Sequence, residues 1–167
     1  YDVESGKELW MFKGGEINNV VAGYDVVTFI HGRVKRGEKL TAAALDLTNG
    51  KVKWQNDEFP FLAKVTRTVL YQDQLTFELS SLNDDDVGNE IKIVSAQTGK
   101  PMWEKAYPPG MNHRRQARAM YLNDKLWILH GGKTNYADRA NMKRVPVQVS
   151  SLDPKTGVTL KTHPAGL

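Results

Sequence analysis

The sequence predicts an all-β chain, on three observations. A nine-residue phrase recurs at intervals of 44, 49 and 58 residues, counted between its glycines Gly6, Gly50, Gly99 and Gly157. Between the copies lie short runs rich in β-branched and aromatic residues, set off by Gly, Asn and Asp, which is strand composition with turn punctuation. No stretch shows the periodicity of an amphipathic helix. Strand-rich repeats of roughly 40 to 50 residues describe four-stranded blades. The expected architecture is therefore a β-propeller segment of about three blades, with partial blades at each end.

The recurring phrase comes first because it sets the frame. Its copies are Asp2 to Trp10, Asp46 to Trp54 and Ser95 to Trp103, with a weaker fourth from Asp153 to Leu160. Asp ahead of the turn can hydrogen-bond its own backbone, and Gly supplies the positive φ that a tight turn demands. Lys then follows on an exposed strand, and Trp closes that strand as a large packing anchor. The first blade, 17–54, gathers strands at 20–22, 25–30 and 40–45 before its phrase. The second, 62–103, gathers 66–71, 75–79 and 91–94, and the third, 114–161, gathers 117–121, 126–129 and 145–151. Residues 1–16 read as the end of a preceding blade.

The pattern Asp-x-x-(Thr/Ser/Asn)-Gly-Lys-x-x-Trp resembles the repeat of quinoprotein (PQQ-type) β-propellers, including the non-enzymatic members that act as assembly factors. Three copies hold Gly-Lys and Trp in register; the fourth departs, with Leu160 and Lys161 near the Trp position. The resemblance implies that Trp10, Trp54 and Trp103, with Gly6, Gly50, Gly99 and Gly157, perform the structural task of docking neighbouring blades. It also implies a periplasmic or secreted location. Propellers close with roughly four to eight blades, and three would leave bare edges. The chain is therefore expected to be a fragment of a larger propeller, partnered by its remaining blades, or to complete a ring with another chain.

Composition narrows the function classes. Of 167 residues, 40% are hydrophobic and 25% charged, a globular balance that argues against disorder. Cysteine is absent, which removes disulfides, thiolate catalysis and Cys-ligated metals from these residues. No apolar run reaches the length of a membrane span. The net charge of +4 is spread along the chain, and a dispersed excess reads as solvated surface rather than as a nucleic-acid footprint.

The most distinctive segment outside the repeat is Met111 to Arg118, which holds His113, Arg114, Arg115 and Arg118. It follows the turn signal Pro108-Pro109-Gly110 and precedes the first strand of a blade, so it is expected at the mouth of a central channel. Guanidinium forks there suit a carboxylate or phosphate, which makes this a candidate anion site. The bland reading is an exposed loop, or Arg paired with acids of the adjacent blade. The acidic run Asn83 to Glu90 offers Asp84, Asp86 and Glu90 as oxygen ligands for calcium, although its spacing does not match the twelve-residue calcium loop and no metal site is assigned. Residues 131–144 read as a surface insert between strands. His31, His130 and His163 lack metal-ligand spacing and are expected to hydrogen-bond locally. No Ser/His/Asp arrangement stands out, so no catalytic residue is named.

The reading that follows is a binding or scaffold module with no established cofactor, whose ligand could be a protein, a polysaccharide or a small anion. The alternative implied by the resemblance is part of a quinone-dependent dehydrogenase, an oxidoreductase that would hold PQQ and calcium in the channel. The adjacent-cysteine disulfide of many such enzymes is missing from these residues.

Overall fold

The computed structural model of the chain describes residues 4–5, 7–32, 39–79, 90–107, 118–133 and 144–164. Among the described residues, twelve strands make three four-stranded sheets, each with its strands hydrogen-bonded in chain order. The first sheet holds β1 (Ile17–Gly23), β2 (Val26–His31), β3 (Thr41–Asp46) and β4 (Val52–Asn56). The second holds β5 (Val65–Tyr71), β6 (Gln74–Leu79), β7 (Glu90–Ser95) and β8 (Pro101–Ala106). The third holds β9 (Arg118–Leu122), β10 (Lys125–Lys133), β11 (Arg144–Leu152) and β12 (Thr159–Pro164). These sheets are β-propeller blades, and the fold class is all-β. One turn of 3-10 helix, Leu62–Lys64, leads into β5 and seats Leu62 in the core.

Local chemistry explains the meander. Each first hairpin closes on two residues, Tyr24-Asp25, Gln72-Asp73 and Asn123-Asp124. Positive φ at Tyr24, Asp25, Gln72, Asn123 and Asp124 matches the twist that two-residue hairpins require. A bulge between Asn18 and Val21 shifts the register of β1 against β2. The apolar residues of the central strands are buried: Val26, Phe29, Ile30 and Ala42 to Leu45 in the first sheet, Leu75, Phe77, Ile91 and Ile93 in the second.

The chain divides into two compact units. One comprises residues 1–63, 70–75 and 94–100, the other 64–69, 76–93 and 101–167. In the first, Val27, Phe29, Ala43 and Leu45 form a core cluster with Trp10 and Phe12 packed on it. In the second, Ile91, Ile93, Tyr107, Ala119, Leu126, Ile128 and Leu152 do so, with Trp103 and Tyr121 against them.

The residues expected to form a surface insert are partly strand. β10 runs on through Gly131 and Gly132 to Lys133, and β11 begins at Arg144. Gly132 pairs with Val145 and Lys133 with Arg144, past an irregularity after His130. Backbone pairing extends the hairpin, and only 134–143 lie outside the described residues. The first strand also starts earlier than its apolar core at 20–22, because Ile17 and Asn18 complete the ladder with His31 and Ile30.

Candidate functional site

The repeat residues build three equivalent joints. In each phrase the glycine N–H donates back to the carbonyl four residues earlier: Gly50 to Asp46, Gly99 to Ser95 and Gly157 to Asp153, at 2.8–2.9 Å. The Asp46 carboxylate accepts from the Thr48 and Asn49 amides, and Asp153 accepts from Lys155 and Thr156. These hydrogen bonds hold both carboxyls below their ordinary range, led at Asp46 by the Thr48 hydroxyl and at Asp153 by the Thr156 amide. Ser95 takes the Asp place in the third copy, and a carboxylate is supplied from the neighbouring turn. Asp73 accepts from the Ser95 hydroxyl and, at 2.7 Å, from the Gln97 amide.

Onto each glycine falls the indole of the preceding phrase. A Cβ at Gly50 would stand 2.6 Å from Trp10, at Gly99 2.7 Å from Trp54, and at Gly157 2.6 Å from Trp103. Each indole N–H donates into the same turn: Trp10 to the Leu47 carbonyl, Trp54 to Ala96 and Trp103 to Pro154. The glycines have φ near +70° and leave no room for a side chain. Their chemistry is packing. Gly6, the expected receiver in the earliest phrase, lies outside the described residues.

Polar chemistry concentrates in the second unit around Glu78. This side chain is 1% exposed although it carries a carboxyl. Its Oε1 accepts from the Ala119 amide at 2.8 Å and from Arg67 Nη1 at 3.3 Å. Its Oε2 has no hydrogen-bond donor among the described residues and lies 3.6 Å from Arg118 Nη1, an ion pair longer than a hydrogen bond. Burial pushes the Glu78 carboxyl above its usual range, against the lowering pull of the Ala119 amide and the two guanidiniums. Both arginines are half open, at 44% and 53%. Thr76 and the Tyr121 hydroxyl share a 2.7 Å hydrogen bond, which adds to the Ala119 and Arg118 contacts of Glu78 in joining β6 to β9.

Counting from the conserved-length hairpin turns shows why this cluster is unusual. Glu78 stands five residues beyond Asp73, where the first sheet has Ile30 after Asp25 and the third has Leu129 after Asp124. Arg67 and Arg118 fall at one repeat position on β5 and β9, where the first sheet has Asn19 in its bulge. Arg118 belongs to the segment that the sequence marks out for an anion, and it pairs with an acid of the neighbouring sheet. His113, Arg114 and Arg115 lie outside the described residues. Arg67 and Glu78 were missed by sequence reasoning because both sit in strand-like runs. The repeat alignment carries the signal that finds them.

The remaining expectations distribute as follows. Asp84 and Asp86 lie outside the described residues; Glu90 opens β7, 3.5 Å from Lys92 Nζ. Among the described residues no group of three or more His, Asp and Glu is placed to hold a metal. His130 Nε2 and the Ser150 hydroxyl are 2.8 Å apart, and Ser150 continues to Thr162 at 2.8 Å. Burial, with Lys105 nearby, lowers the His130 pKa, which favours the neutral ring. Its neighbour Tyr107, with ring centroids 4.7 Å apart, has a buried hydroxyl that burial holds in the protonated form. His163 stacks on Trp127, and His31 packs against Phe12 and Phe29.

No protein-family model matches the sequence, and no curated protein sequence matches it either. Solved structures do match. BamB from Moraxella catarrhalis aligns over 86% of this chain and 34% of its own, with 19% identity and a TM-score of 0.50. The quinohemoprotein alcohol dehydrogenase from Comamonas testosteroni aligns over 90% of this chain and 21% of its own, with 12% identity and a TM-score of 0.51. The chain thus spans about a third or less of the structures it matches. At these identities the likeness establishes the shared propeller fold. Among the described residues no helix is long and apolar enough to cross a membrane.

Proposed function

We propose that these blades belong to a larger propeller with a binding or scaffold role outside the cytoplasm. One observation carries the reading. The residues that define the repeat are occupied by the Trp-on-Gly joints, while Glu78, a charged exception to the repeat, gathers Arg67 and Arg118 into one cluster that keeps two guanidiniums half exposed. A charge placed against the repeat pattern, with guanidiniums left half open beside it, suits recognition and requires no catalytic group. The fold likeness to BamB is compatible with this role, and the location rests on the repeat's resemblance to quinoprotein propellers.

The second reading, part of a quinone-dependent dehydrogenase, draws on the likeness to the quinohemoprotein alcohol dehydrogenase. The two separate in one experiment on the full-length protein, a titration with PQQ and calcium followed by a dye-linked alcohol oxidation assay. The binding or scaffold role predicts no calcium-dependent turnover. Saturable quinone binding with turnover would overturn it.

A further inference from the structure

We propose that Arg67 and Arg118 form a receptor for a carboxylate, with Glu78 as the internal counter-ion that sets their spacing. The two arginines come from equivalent positions of successive first strands, so the repeat itself generates the pair. Both reach the same carboxyl: Arg67 by a hydrogen bond to Oε1, Arg118 by the longer contact to Oε2. A lone buried carboxylate needs its acceptors filled, and what faces Oε2 is Arg118 Nη1 at 3.6 Å, beyond hydrogen-bond length. Arg118 therefore does not close onto Glu78 as a fork would, and its side chain stays 53% exposed.

Charge selects the ligand class. Two guanidiniums set against one carboxyl leave the cluster cationic or nearly so, which calls for an anion. Planar forks bind carboxylates in two-point geometry, and the half-open arginines can each offer a second edge while Glu78 keeps the first. Glu78 touches no ligand in this arrangement, since Oε2 is shielded from solvent. It is a positioning residue. The proposal deepens the binding role above by naming its ligand chemistry.

The test follows arginine Nε–H signals of the full-length protein by NMR during titration with acetate, with chloride at equal ionic strength as the blank. Saturable shifts at two arginines are expected, lost in Arg67→Lys and in Arg118→Lys, which keep the charge and remove the fork. Glu78→Gln should bind acetate about tenfold more tightly, because a nearby like charge has been removed. A purely structural Glu78 would leave acetate affinity unchanged or weaken it. A trigalacturonate arm distinguishes sources: affinity rising well beyond threefold indicates a polymer's carboxylates, and affinity rising in proportion to carboxylate number indicates a small acid. Shifts that never saturate, or that match the chloride blank, overturn the proposal. Should Glu78→Gln fail to fold, the two Lys variants still decide the matter. Absence of acetate binding leaves the scaffold role standing, whereas quinone turnover removes that role whatever acetate does.

Discussion

Placing a methyl group at Gly99 tests the idea that the glycine is a seat for an indole rather than only a turn residue. The backbone there has φ +70°, a left-handed conformation that costs an L-residue about 1–2 kcal/mol. The new Cβ would lie 2.7 Å from Cδ2 and 2.8 Å from Cε3 of Trp54, well inside van der Waals contact. The ring must retreat, and its 2.7 Å N–H bond to the Ala96 carbonyl weakens with it. Losing that bond adds about 1 kcal/mol. Gly99→Ala should therefore destabilise the full-length protein by about 2–3 kcal/mol. Trp54, 9% exposed, should cost about 3–5 kcal/mol when replaced by Ala. The decisive assay is the double-mutant cycle by urea denaturation. In a Trp54→Ala background the methyl has space, so Gly99→Ala should cost only the backbone term of about 1–2 kcal/mol. Equal cost in both backgrounds would refute the seat and leave a simple turn effect.

Three further outcomes follow from the polar contacts. Tyr121→Phe leaves the fully buried Thr76 hydroxyl without its 2.7 Å partner and should cost about 1–2 kcal/mol in the same denaturation assay. Asp46→Ala should speed hydrogen exchange of the Thr48 and Asn49 amides, which donate to that carboxylate; its carboxyl is lowered in the folded protein, so this contribution is present above the unfolded pKa and fades as pH falls through the folded one. Glu78 has the opposite sign. Its raised carboxyl favours the folded state most at low pH, and that advantage is lost as pH rises from the unfolded value through the folded one. Glu78→Gln should remove this part of the pH dependence of denaturation midpoints; an unchanged slope would contradict the assignment.

The fold was legible because one phrase performs one mechanical task wherever it occurs. Gly-Lys-x-x-Trp marks the turn and the strand that follows, and the spacing between copies leaves room for three more strands. Strand ends were less legible. Ile17 and Asn18 join β1 through backbone pairing that their side chains do not announce, and Gly131 to Lys133 continue β10 although glycine usually signals a break. The candidate site was half visible. Arg118 stood in a basic run, but Glu78 hid among Leu75, Phe77 and Leu79, and Arg67 among threonines and valines. What brings them together is pairing between β5 and β6 and a contact from β9, which local composition does not encode. The sequence frame that reveals them is the two-residue turn at Asp25, Asp73 and Asp124, from which each exception to the repeat can be counted.

The Trp-on-Gly joint also bears on how such a chain can grow. Each repeat carries the indole for the next joint on its last strand and the glycine seat for the previous joint at its last turn. A DNA segment duplicated from just after one Trp to just after the next therefore inherits a matched plug and socket. A new copy needs no compensating change in its neighbours to be accommodated. Divergence can then proceed one repeat at a time, as at position 161, where Lys stands in the Trp register, and at Glu78, where a charge has entered a slot that the sister repeats keep apolar.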